Sequence, residues 1–212
     1  WGTECVKKLN GIFAFAVWEE HNRRLFVARD RIGVKPFFYW KGNNKFIFAS
    51  ELGALLEHPE VPRILDEKSI AELLLIAPGR TPGSAVFKDV CEIKPGWCGY
   101  YSKDGLKLWE YWRLKAYPLN QSFEETCETV RELVTDSIKR QLVSDVPICT
   151  FLSGGLDSSL ISSVAASELK KQGKTLNTFS IDYRDNDKYF QKSHFQPNSD
   201  PEYIKCMADY LG

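Results

Sequence analysis

The stretch CTFLSGGLDSSLISS, Cys149 to Ser163, runs a short apolar strand into two glycines, an aspartate and a serine-rich helix start. Pro147 opens the strand ICTFL, and the helix is expected from Ser158 to about Gln172, with a second strand from Leu176 to Ile181. A strand-to-helix crossover in a parallel sheet puts its loop at the carboxyl end of the strand, where ligands bind in open α/β sheets. Gly154 and Gly155 lack a Cβ, so the backbone can take positive φ and approach a ligand closely. The amides of the following helix start offer unpaired donors and the positive end of a dipole. Hydroxyls at Ser153, Ser158 and Ser159 suit phosphate oxygens. The loop is therefore read as an anion cradle.

What the cradle lacks narrows its chemistry. A Walker loop needs G-x-x-x-x-G-K-[ST] and a dinucleotide loop needs G-x-G-x-x-G, and neither occurs here. Asp157 would repel phosphates unless a divalent cation such as Mg²⁺ stood between them. Without a ligand, the same string reads as a tight turn with an acidic residue at a helix N-terminus.

Outward from the loop, Ser122 and Glu125 form a capping box for a helix running to about Val143. Its apolar face comprises Phe123, Cys127, Val130, Leu133, Val134, Ile138 and Leu142. The second half thus reads as helix, strand, helix, strand around a parallel sheet. The polar stretch LKAYPLNQ reads as a linker, dividing the chain into domains 1–116 and 117–212.

The first half alternates aromatic and β-branched runs with turns: GIFAFAVW, LFVARD, GVKPFFYW and KFIFAS, the last two joined by KGNN. Glu51 to His58 should form a short helix, and Asp66 should cap a second, EKSIAELLLI, stopped by Ala77-Pro78-Gly79. Residues 84–112 return to strands, broken by turns at Pro95-Gly96 and Lys103-Asp104-Gly105. Arg29, Asp30, Gly33 and Lys35 of ARDRIGVKP read as a charged turn that fixes a hairpin. The fold class expected is α+β, with layered antiparallel sheets and helices, followed by an α/β part with a parallel sheet.

Composition excludes several classes. Lys plus Arg and Asp plus Glu both number 28 in 212 residues, so no charge excess marks a nucleic-acid surface. No apolar run reaches the roughly 20 residues that span a bilayer, and WGTECVKK has no signal-peptide pattern, so a cytoplasmic protein is expected. The six cysteines form no C-x-x-C pair, which argues against zinc and for buried thiols. His21, His58 and His194 are read as surface residues.

The string S-G-G-L-D-S-S after an apolar strand resembles the pyrophosphate loop of the N-type ATP pyrophosphatases. Together with LNGIFAFAVWEEHNRRLFVARDRIGVKPFFYW, FIFASELGALL, SDVPICTFLSGGLDSSLI and HFQPNSDPEYIKCMADYLG, it is similar to glutamine-hydrolysing asparagine synthetase over nearly the whole chain. That resemblance implies a class II glutaminase part followed by an ATP-pyrophosphatase part. ATP would activate the aspartate side chain as an acyl-adenylate, and ammonia from glutamine would attack it, giving asparagine, AMP and pyrophosphate. Ser153, Gly154, Gly155, Leu156, Asp157, Ser158 and Ser159 fall on the pyrophosphate loop, with Asp157 as the Mg²⁺ ligand. Leu152 and Ile181, at the ends of adjacent strands, match positions lining the ATP base and ribose, where ordinary core aliphatics also occur.

The chain also departs from that family. Its nucleophile is an N-terminal cysteine, whereas this sequence opens with Trp1, and Cys5 reads as a packing or surface thiol. The family's second ATP and metal motif lies beyond Gly212. The expectation is an internal part of a longer enzyme, without glutaminase activity by itself, with small-molecule partners and a homodimer left open. A β-lactam-synthetase-like relative that adenylates another carboxylate, or a non-catalytic nucleotide-binding module, would carry the same loop.

Overall fold

The computed structural model describes residues 1–182, 184–191 and 200–211. It divides into two compact units, Trp1–Tyr117 and Pro118–Gly212.

The first unit holds two antiparallel sheets. After a short 3₁₀ turn and helix α1 (Cys5–Lys8), strands β1 (Ala14–Glu19) and β2 (Arg24–Arg29) pair, and β3 (Phe38–Gly42) and β4 (Lys45–Ala49) form a second hairpin. Helices α2 (Leu52–Leu56) and α3 (Glu67–Leu75) follow, then β5 (Val90–Glu92), β6 (Trp97–Ser102) and β7 (Gly105–Glu110). The sheet orders are β1-β2-β6-β7 and β4-β3-β5. Residues 84–89, expected in a strand, contribute only an isolated bridge from Ser84 to Cys91. Asn43 and Asn44 both have positive φ, 41° and 59°, which matches the right-handed twist of a two-residue hairpin and suits asparagine.

Alternation along the strands sorts the core. Val27, Leu25, Leu106 and Leu108 of one sheet meet Tyr39 and Phe46 of the other around Phe37 and Ile93. Phe46 and Tyr101 stack across this layer at 4.8 Å. The opposite face of β3 to β5 buries Phe38, Trp40 and Val90 under Leu52, Leu55 and Leu56 of α2. Val6 of α1 covers Phe26, Ala28 and Cys98 on the outer face of the first sheet.

Two expectations fail here for long-range reasons. Arg29 and Asp30 do not close a hairpin: their turn carries the chain from β2 into the other sheet. Asp30 is buried and accepts Ile32, Gly33 and Val34 N–H on Oδ1 at 3.1, 2.6 and 3.0 Å, and Lys35 and Phe13 N–H on Oδ2 at 3.0 and 3.3 Å. Burial pushes its carboxyl up, but the donors of Lys35, Val34, Gly33 and Phe13 outweigh burial and hold it below the usual range. Arg29 donates to Lys35 O, Ile93 O and Gly33 O. Glu92 Oε2 lies 3.0 Å from Arg29 Nη1, a buried ion-pair contact in which that oxygen accepts no hydrogen bond. Helix α3 is likewise turned against its apolar pattern: Ser69 and Glu72 are buried, whereas Leu74 and Leu75 are 79% and 81% exposed. The Asp66 cap bonds Ser69 N–H at 2.9 Å, and Ser84 Oγ donates to Glu72, so polar contacts hold the inner face.

The second unit comprises α4 (Phe123–Arg140), β8 (Cys149–Phe151), α5 (Leu156–Lys171), β9 (Asn177–Phe179), α6 (Asn186–Tyr189) and α7 (Pro201–Leu211). Strands β8 and β9 run parallel, as a crossover through a helix requires. Both arms of the Ser122–Glu125 capping box are formed. Lys139 of α4 and Glu168 of α5 pair at 3.0 Å, and bonds from Lys171 and Lys139 hold the Glu168 carboxyl below its ordinary range. Helix α4 ends three residues before the expected Val143. Of its apolar stripe only Ile138 is buried, and Phe123 and Leu133 are exposed. The thiols also depart from expectation, since Cys98 is buried while Cys127, Cys149 and Cys206 are exposed; all six are free.

Candidate functional site

Residues 152–155 join β8 to the first turn of α5 at the carboxyl end of a parallel strand. Leu152 continues the ladder, donating its N–H to Phe179 O at 2.8 Å. Helix α5 begins at Leu156, two residues earlier than expected, with Gly155 as its N-cap. Leu156 and Asp157 therefore lie in the first helical turn, with Ser158, rather than ahead of it. The first turn of any helix leaves N–H groups without intrahelical acceptors. In α5 the earliest such bond is Ser159 N–H to Gly155 O at 3.0 Å, and among the described residues no side chain caps this end. The amides of Leu156, Asp157 and Ser158 thus converge beside the exposed Asp157 carboxylate.

The two glycines have different tasks. Gly154 has φ +78°, and a Cβ there would lie 2.7 Å from Tyr203 Cβ and 3.0 Å from Ile204 N, so α7 can approach only a glycine. Gly155 has φ −72°, so only Gly154 uses the freedom of positive φ, and a Cβ on Gly155 would meet only Ser153 Oγ at 3.5 Å. Its bare Cα leaves the surface open on the loop's outer side.

Hydroxyls brace the turn. Ser158 Oγ donates to Gly155 O at 3.1 Å, accepts Ser153 N–H at 3.3 Å and lies 3.0 Å from Ser153 Oγ. Beneath, Thr150 Oγ1 and Ser162 Oγ are 2.8 Å apart and tie β8 to α5. Ser180 Oγ donates to Leu152 O at 2.7 Å. Sequence reading missed Thr150, Ser162 and Ser180. Hydroxyl residues at positions where a strand or helix should turn an apolar face inward were the available signal. Ser159 sits in the first turn, its carbonyl accepting from Ser163 Oγ at 2.8 Å.

Ser153 to Ser159 are thus assembled as one loop, whereas the two aliphatics are not brought onto one wall. Leu152 is buried and lines a cavity of about 310 Å³ with Lys170, Lys174, Leu176 and Ala208, to which no residue of 153–159 contributes. Ile181 lies two residues past the end of β9 and is 74% exposed. Among the described residues no three His, Cys, Asp or Glu side chains gather as a metal cluster, at Asp157 or elsewhere. His21 lies in the β1–β2 turn and His58 beyond α2, away from the loop in sequence, and His194 lies outside the described residues. No helix among the described residues is long and apolar enough to cross a membrane.

Comparison with known proteins gives two family matches, one in each part of the sequence. The family profile described as glutamine amidotransferase domain matches residues 1–112, and that described as asparagine synthase matches residues 129–212. Asparagine synthetase (glutamine-hydrolyzing) 3 of Bacillus subtilis is 51% identical over 100% of this chain, which covers 35% of that relative. Asparagine synthetase (glutamine-hydrolyzing) 2 of the same organism is 32% identical over 99% of the chain, covering 28% of its own length. The chain thus spans about a third of these curated relatives. With an amidotransferase match over the first 112 residues and an asparagine synthase match over the last 84, the chain belongs to the glutamine-hydrolysing asparagine synthetase family.

Proposed function

We propose that residues 117–212 belong to the ATP-pyrophosphatase part, and residues 1–116 to the later part of the glutaminase domain, of a cytoplasmic enzyme that converts aspartate to asparagine with ATP and glutamine. The observation carrying this reading is the uncapped start of α5 behind a glycine turn at the carboxyl end of a parallel strand. The amides of Leu156, Asp157 and Ser158 bind the β- and γ-phosphates. Ser153 and Ser159 add hydroxyl donors, and Gly155 lets the phosphates come close. The aspartate carboxylate attacks the α-phosphorus, pyrophosphate leaves into the cradle, and ammonia displaces AMP from the acyl-adenylate. Fixed donors aimed at the departing charge lower the barrier because they need no reorganisation as it develops.

The residues present fit a magnesium nucleotide. Mg²⁺ is held by one or two carboxylates together with substrate phosphates rather than by an all-protein cage, and an exposed Asp157 beside orphan amides, outside any cluster of three ligating side chains among the described residues, suits that arrangement. When bound there, Mg²⁺ would neutralise charge on the leaving pyrophosphate. By their match to the family, Leu152 and Ile181 fall on the base and ribose side of the same site, Ile181 with an exposed side chain and Leu152 with a buried one.

The test is product analysis with the full-length enzyme carrying this sequence, supplied with labelled ATP, aspartate and ammonia. AMP, pyrophosphate and asparagine in equal amounts are expected. ADP and orthophosphate in their place would overturn the reading.

A further inference from the structure

The register Thr150↔Thr178 and Phe151↔Phe179, continued by one residue, sets Leu152 opposite Ser180. In a parallel ladder alternate residues face the partner strand, each donating to it one position back and accepting from one position ahead. Leu152 keeps the first bond, N–H to Phe179 O at 2.8 Å. The second would come from the Ile181 amide. Instead Ser180 Oγ donates to Leu152 O at 2.7 Å, and β9 ends at Phe179.

The consequence falls on a single peptide group. Its carbonyl, Leu152 O, accepts from Ser180 Oγ, and its amide, Ser153 N–H, donates to Ser158 Oγ at 3.3 Å. Both polar ends of the plane entering the glycine turn are therefore held by serine hydroxyls, one from outside the motif. A flip of that plane would turn Ser153 N–H away from Ser158 and change the backbone leading into Gly154, which has φ +78° and no room for a Cβ beside Tyr203.

We propose that Ser180 is a positioning residue for the anion loop: its hydroxyl replaces a backbone rung, fixes the Leu152–Ser153 peptide plane and releases β9 from the sheet where the site opens. This rests on the reading of residues 153–159 as an anion site.

The test uses the full-length enzyme carrying this sequence and Mg²⁺ with inorganic pyrophosphate as probe, measured by calorimetry. Ser180→Ala is expected to bind about five- to tenfold more weakly, the effect of one lost hydrogen bond, while Ser180→Thr, which keeps the hydroxyl, stays near wild type. Without ligand, amide exchange should quicken at Ser153 and Gly154 in Ser180→Ala but not at Thr150 or Ala165, a pattern that general destabilisation would not give. Should the alanine variant fail to fold, Ser180→Cys, close in size and a weak donor, is expected to show its loss. Wild-type affinity in the Ala or Cys variant, or equal loss in Ser180→Thr, overturns the positioning role alone. A wild-type chain that binds no pyrophosphate overturns the loop reading and this inference with it.

Discussion

The hydroxyl oxygens of Ser153 and Ser158 lie 3.0 Å apart across the glycine turn. Ser158 spends its proton on Gly155 O, so the proton between the two oxygens is that of Ser153. In this state Ser153 donates inward, and it must rotate to donate to a phosphate.

Ser158→Ala removes the acceptor for both Ser153 groups and the brace to Gly155. Affinity for magnesium pyrophosphate is expected to fall about tenfold, with a smaller loss for Ser153→Ala, whose backbone donor remains. Calorimetry on both variants checks the order, and the reverse order would contradict it.

The glycines should separate folding from binding. Gly154→Ala forces a side chain into positive φ and against Tyr203 Cβ at 2.7 Å, and is expected to destabilise the second unit by about 1–3 kcal/mol. Gly155→Val, in ordinary backbone space with room for a Cβ, should fold normally yet block phosphate approach. Urea unfolding together with ligand binding distinguishes the two.

Asp157→Asn keeps shape and removes charge. If the carboxylate holds Mg²⁺, nucleotide affinity in Mg²⁺ drops by about 1.5–3 kcal/mol and its dependence on Mg²⁺ flattens. Equal affinities for wild type and variant would refute the metal role.

In the first unit, Asp30→Ala removes the acceptor of five backbone donors, of which Gly33 N–H keeps Asp30 O at 3.2 Å, and is expected to cost on the order of 3–5 kcal/mol, measured by denaturant unfolding. A cost below about 1 kcal/mol would mean that the turn holds without the carboxylate.

Acid should weaken this unit through Glu19. Hydrogen bonds from Tyr100, then Arg24 and Asn22, hold its carboxyl at about 2, below the ordinary 4.5. The folded state prefers the ionised form, so its stabilising contribution is complete above about pH 4.5 and is lost as pH falls toward 2. Unfolding measured across that window should show a smaller slope in Glu19→Gln.

What could be read from the sequence was local. Asn43-Asn44 implied a tight hairpin, Ser122 with Glu125 implied a capped helix start, and Asp66 implied another, because each depends on residues within one turn. The glycines and serines of 153–159 announced an anion-sized loop for the same reason, although the helix begins earlier than its serines suggested.

Tertiary structure decided which of these groups meet distant partners. That Gly154 is required by Tyr203 and Gly155 is not, that Ser180 reaches Leu152 across the sheet, and that Arg29 and Asp30 join two sheets all depend on contacts many residues apart in sequence. So does the outward turn of Leu74 and Leu75 in α3, where buried hydrogen bonds to Glu72 and the Asp66 cap outweigh the apolar pattern. Periodicity records which residues share a face; only packing determines which face is covered.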